Sequence, residues 1–100
     1  VPAVKNMLDR IGMSIGKFDI VESNEAFAAQ ACAVSKELGL DARKVNPNGG
    51  AIALGHPIGA TGTIIVLKLV HELKRTGGNY GIATMCIGGG QGIAMAVEAI

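Results

Sequence analysis

Apolar residues along the chain alternate between helical and extended spacing. Pro2 can occupy a first helical turn. Val4, Met7, Leu8 and Ile11 then recur at three- and four-residue intervals, until Gly12 and Gly16 end the pattern. Phe18-Asp19-Ile20-Val21-Glu22 reads as a short strand, and Ser23-Asn24-Glu25 as the turn after it. Phe27, Ala31, Val34 and Leu38 mark one face of a second helix, with Gly39 as its C-cap. Asp41 to Lys44 is a polar connection, and Val45 begins an irregular extended segment. A third helix is predicted from about Gly59 to Arg75, where Lys74 and Arg75 suit the negative end of its dipole and Gly77-Gly78 stops it. Tyr80 to Ile87 is an almost wholly apolar strand. After Gly88-Gly89-Gly90-Gln91-Gly92, Ile93 to Ile100 returns as a last strand.

The order is α-β-α-β-α-β-β. Strands alternating with helices predict an α/β fold: a mostly parallel mixed sheet, helices on both faces, and an antiparallel C-terminal hairpin. An α/β unit that opens on a helix lacks its usual first strand, which is normally a central one. The start at Val1-Pro2 therefore reads as the middle of a longer polypeptide.

Composition narrows the class. One hundred residues make at most one domain. Hydrophobic residues are 49 % and charged residues 17 %, with fifteen glycines, which suits close backbone packing in a buried layer. The net charge of +1 comes with no basic cluster, so nothing points to nucleic acid. The apolar run Ile64 to Leu67 is far too short for a bilayer, and no signal peptide is visible. Cys32 and Cys86 show no metal spacing and suggest free thiols in a reducing, cytoplasmic compartment.

Three places carry candidate chemistry. Asn24 sits where a strand gives way to a helix, at the carboxyl end of a strand, where open α/β sheets bind ligands. Its amide can donate to a carbonyl oxygen or a water; equally, it could cap the helix. His56 lies in the stretch Asn48 to Gly62, with five glycines and Pro57 around it. An imidazole titrates near neutrality, so it can act as a base; the alternative is a cap on the helix near Gly59. Cys86 ends a strand before a glycine-rich turn. It could serve as nucleophile or as general acid/base, and Gly88 could offer a backbone N–H to an oxyanion. The alternative is a buried cysteine before a hairpin. Neither phosphate-loop nor dinucleotide spacing occurs. Parallel topology would bring Asn24, His56 and Cys86 to one edge of the sheet, as acyl transfer on a thioester requires.

Asn24-Glu25-Ala26-Phe27-Ala28, the Gly-His-Pro stretch from Gly50 to Gly62, and Cys86-Ile87-Gly88-Gly89-Gly90-Gln91-Gly92 resemble the three C-terminal motifs of the thiolases, most closely the acetyl-CoA acetyltransferases. The likeness covers essentially residues 1–100, as an incomplete C-terminal domain without its first strand. It implies an acyl-CoA acyltransferase that condenses two acetyl-CoA molecules or cleaves acetoacetyl-CoA. His56 would activate a nucleophilic cysteine and help form an oxyanion hole, completed by Asn24 through a water. Cys86 would move the proton at C2 of the second acyl-CoA, and the Gly88 N–H would join a second oxyanion hole. Phe27 would line the pantetheine end of the coenzyme A pocket, or else fill the helix core. Thr61 stands where many thiolases have serine and keeps the hydroxyl. Cys32 is expected to be packed, and His71 solvated. Coenzyme A enters as the substrate's thioester, and no separate cofactor or metal is implied. The nucleophilic cysteine belongs to the family's N-terminal half, so that half is the expected partner, with a dimer or tetramer in the full enzyme. A missing central strand would leave the strands at Phe18–Glu22 and Tyr80–Ile87 without a partner between them, at roughly 1–3 kcal/mol per buried unsatisfied group, and the isolated chain unstable and inactive. A non-catalytic structural remnant is the competing expectation.

Overall fold

The computed structural model describes all residues 1–100. Its sheet is built on two short apolar stretches that must be buried on both faces. Strand β1 (Ile20–Ser23) is buried at every position, and strand β2 (Tyr80–Gly88) is buried from Gly81 to Thr84. They pair directly and in parallel, Ile20 opposite Gly81 through Ser23 opposite Thr84. Strand β3 (Gln91–Glu98) adds antiparallel to β2, giving the order β1-β2-β3.

Helices cover both faces. Helix α4 (Thr61–Thr76) lays Ile65, Leu69 and Leu73 over Ile20 and Ala83. On the other face, helix α1 (Pro2–Ile11) brings Val4 against Phe18, Val21 and Ile82, and Leu38 at the end of helix α2 (Ala28–Leu38) joins them. Ile20 and Val21, like Ile82 and Ala83, point to opposite faces because successive strand residues alternate. α4 approaches β2 closely because Gly81 has no side chain; a Cβ there would fall inside Leu69. Helices α1, α2 and α4 each end in a left-handed glycine, Gly12, Gly39 and Gly77.

Several expectations need correction. No gap separates β1 from β2, so the orphaned backbone groups expected there do not exist, and the instability argued from them falls away. The sheet is mixed as expected, with β1 and β2 parallel over four residue pairs and β3 antiparallel to β2 in the C-terminal hairpin. The segment after Val45 contributes only one parallel bridge, Val21 to Val45, rather than a strand. A one-turn helix, α3 (Ala51–Leu54), lies in the glycine-rich stretch read as irregular. Cys32 is exposed rather than packed, while His71 is exposed as expected. Phe27 is 74 % exposed and precedes α2, so it is not helix core.

Candidate active site

The parallel β1–β2 register places two of the three motifs side by side. Asn24 follows β1 directly, and its N–H donates to the Thr84 carbonyl at 2.9 Å. Cys86 lies two residues beyond Thr84 on β2, toward the same carboxyl edge. Asn24 and Cys86 both line a cavity of about 540 Å³, together with Ser23, Gln30, Thr84 and Gln91. α2 starts at Ala28 with Phe27 at its N-cap, so the capping alternative for Asn24 fails.

His56 reaches this edge from the loop between α3 and α4. Its Nε2 lies 3.5 Å from Asn24 Nδ2, and its Nδ1 lies 2.6 Å from Thr61 Oγ1. The Thr61 hydroxyl is itself 3.0 Å from the Pro57 carbonyl. α4 begins at Thr61 with no side-chain cap, so His56 does not cap it. His56 does not line the cavity of Cys86; Asn24, which is 3 % exposed, is the residue that touches both sides.

Cys86 is exposed, near the carboxyl end of β2, where it pairs with Gly92 of β3. The turn beyond it explains why. Gly89 and Gly90 both have positive φ, 58° and 76°, as a two-residue turn of the favoured hairpin hand requires. The ladder is irregular between Cys86 and Gly88, where Gly88 has φ 101°. Such a bulge bends the strand and re-aims the side chains beside it. The exposed thiol is not the buried cysteine of the alternative reading.

A polar frame not expected from the sequence holds the His56 loop against β1. Asn46, with φ 45°, accepts from the Ser23 N–H at 2.9 Å and donates to the Ser23 carbonyl at 2.8 Å and to Glu25 Oε1 at 2.9 Å. Lys68 of α4 bridges the Glu22 carboxylate, at 2.9 Å, and the Gly49 carbonyl. Burial pushes the Glu22 carboxyl up; its bond to Lys68 opposes this. Asn48 donates to Glu72, which also takes a two-point contact from Arg75. Arg75 and then Asn48 hold the Glu72 carboxyl down, at about 2. One signal was available: Lys68 and Glu72 fall on the same stripe of α4 as Ile65, Leu69 and Leu73, where a charged residue needs a partner.

Asn24 thus links the other two motifs, in contact with His56 and sharing a cavity with Cys86 at the carboxyl edge of the sheet. The sequence profile of the thiolase C-terminal domain matches residues 1–99. This chain belongs to the thiolase family. It is 62 % identical over 100 residues to a beta-ketothiolase of Cupriavidus necator, and 58 % identical over 100 residues to an acetyl-CoA acetyltransferase of Shinella zoogloeoides. These alignments cover the whole of this chain but 25 % and 26 % of the relatives. The solved Bacillus anthracis acetyl-CoA acetyltransferase superposes with a TM-score of 0.96 at 52 % identity, over 99 % of this chain and 25 % of that one. Human mitochondrial 3-ketoacyl-CoA thiolase in complex with CoA superposes with a TM-score of 0.97 at 53 % identity, over all of this chain and 25 % of that one. The thiolase chain described here therefore spans about a quarter of the length of the relatives it matches.

Proposed function

We propose that this chain is the C-terminal catalytic part of an acyl-CoA acyltransferase, joining two acetyl-CoA molecules into acetoacetyl-CoA and CoA, or running the reverse thiolysis. The carrying observation is the contact of His56 with Asn24, at the edge where Cys86 ends β2. Names of relatives support the reaction class: one is a beta-ketothiolase and another an acetyl-CoA acetyltransferase.

The residues divide the work as follows. A cysteine of the N-terminal thiolase half attacks the thioester carbonyl of the first acetyl-CoA. His56 takes the thiol proton and returns it to the departing CoA thiolate, leaving an S-acetyl enzyme. Asn24, through a water it holds with His56, donates to an oxygen that becomes negative. The Cys86 thiolate removes a proton from C2 of the second acetyl-CoA. That carbon attacks the acetyl enzyme, forming the C–C bond and a tetrahedral oxyanion that the N–H of Gly88 steadies; its collapse breaks the C–S bond, and the released cysteine thiolate takes up the proton that Cys86 removed from C2, which returns Cys86 to its thiolate. Phe27, exposed beside Asn24 in sequence, offers an apolar ring to the pantetheine arm. Coenzyme A is part of the substrate, and no other cofactor has a role. The N-terminal half is the needed partner, in a cytoplasmic homo-oligomer.

The test is thiolysis of acetoacetyl-CoA by this chain joined to an N-terminal thiolase half. His56→Ala is expected to lose acylation and Cys86→Ala to acylate but fail at condensation, each by about 10²–10⁴-fold in the affected step. Normal condensation by Cys86→Ala would remove that thiol from the mechanism.

A further inference from the structure

His56 has two ring nitrogens, and only the unprotonated one of a neutral imidazole can act as a base. The surroundings of the ring decide which one that is. A backbone carbonyl accepts and never donates. The Thr61 hydroxyl lies 3.0 Å from the Pro57 carbonyl, and a proton directed there would not point at the ring. Its oxygen is left as an acceptor, and the group 2.6 Å away is His56 Nδ1. In that arrangement Nδ1 carries the proton. On the opposite side of the ring, Asn24 Nδ2, a donor, lies 3.5 Å from Nε2, a position that suits a lone pair on that nitrogen.

We infer that Thr61 is a positioning residue that fixes the His56 tautomer: its hydroxyl accepts from Nδ1–H and leaves the Nε2 lone pair as the base, facing Asn24. Geometry favours permanence. Thr61 is 3 % exposed, so water does not compete for the hydroxyl. It is the first residue of α4, and its own N–H donates to the same Pro57 carbonyl at 2.9 Å, as does the Ala60 N–H at 2.8 Å. The turn His56-Pro57 is thereby pinned to the helix start, and the ring's reach toward Asn24 is set by a rigid element. A histidine free to exchange tautomers would spend part of its time with a proton on the nitrogen meant to accept one.

The inference rests on the acyl-transfer reading only for its catalytic consequence; the tautomer is readable by itself. The experiment uses a full-length thiolase containing this chain, segmentally labelled so that only His56 and His71 carry ¹⁵N. Histidine nitrogen spectra distinguish protonated from unprotonated ring nitrogens, and His56→Gln assigns the signal. The neutral His56 ring is expected with the proton on Nδ1. Thr61→Val, which keeps the shape and removes the hydroxyl, is expected to populate the Nε2–H form and to lower the acylation rate by about 10–100-fold. Thr61→Ser is expected to restore both, which separates a hydroxyl effect from a folding defect. Nε2–H in the parent enzyme, or an unchanged tautomer in Thr61→Val, would overturn the assignment. A tautomer that shifts in Thr61→Val with no change in acylation would sustain the positioning and instead overturn the role of His56 as base.

Discussion

At the scale of single residues, the site depends on side chains that cannot be enlarged as much as on those that react. Gly50 is the clearest case. A Cβ there would fall inside the Glu25 carboxyl and within 2.9 Å of the Asn46 amide. Gly50→Ala therefore displaces Glu25 and breaks its bond from Asn46, the residue that clamps the His56 loop to Ser23. The expected cost is about 1 kcal/mol of stability for the lost hydrogen bond. Activity is expected to fall further than stability, because the loop carries His56; thermal melts beside thiolysis rates check this, and a variant with parent melt and parent rate would refute it. Asn24, His56 and Cys86 were legible because each is a chemically capable residue placed at the end of an apolar segment. Thr61 was legible only as a retained hydroxyl, since no linear spacing reveals the His56 ring 2.6 Å from it. Phe27 was misjudged as a possible core residue because it keeps helical spacing with Ala31 and Val34, yet the helix starts one residue after it.

At the scale of elements, α4 joins the sheet to the loop that carries His56. Its buried stripe includes two charged residues, Lys68 toward Glu22 and Gly49, and Glu72 toward Asn48. Glu72 is held at about 2 in the folded chain, below its ordinary value of 4.5. Its folded pKa is depressed, so its contribution to stability is present above about 4.5 and is lost as pH falls toward about 2. Glu72→Gln is therefore expected to be less stable than the parent at neutral pH, with the difference shrinking across that interval. Urea unfolding of the two proteins at several pH values measures it; a difference independent of pH would show that the charge of Glu72 does not hold the loop. The helices were readable from periodicity because their apolar positions repeat over about two turns or more. The one-turn α3 was not, since four residues cannot show a period. Strand neighbours were misassigned for another reason: hydrophobic pattern gives burial on two faces, but not which strand lies beside which.

At the scale of the whole molecule, the helices do not reach across the sheet. α4 covers β1 and β2, and Val97 still packs against its cluster, but Ile93 and Met95 on the same face of β3 stay 52 % and 50 % exposed. Ile64 and Leu67 on α4 are exposed as well. β3 is also the free edge of the sheet, since β2 occupies its other side. Open apolar side chains next to an unpaired strand edge invite another chain. Because relatives are about four times longer than this segment, the N-terminal thiolase half is the proposed cover. Fully burying each of these side chains is worth about 1.5–3 kcal/mol, and roughly half of that is still to be gained for a half-exposed one. Changing Ile93 and Met95 together to Lys should then leave the strands' far-UV signal in place, because neither side chain belongs to the buried clusters. The same change should weaken docking of the N-terminal half by several-fold or more, read as a higher concentration of that half needed to reach maximal thiolysis. Equal titration curves for parent and double variant would place the contact elsewhere on the molecule. The dependence of any vulnerability on β3, rather than on a vacancy between β1 and β2, follows from one pairing: Ser23 beside Thr84 leaves no room between those strands for another.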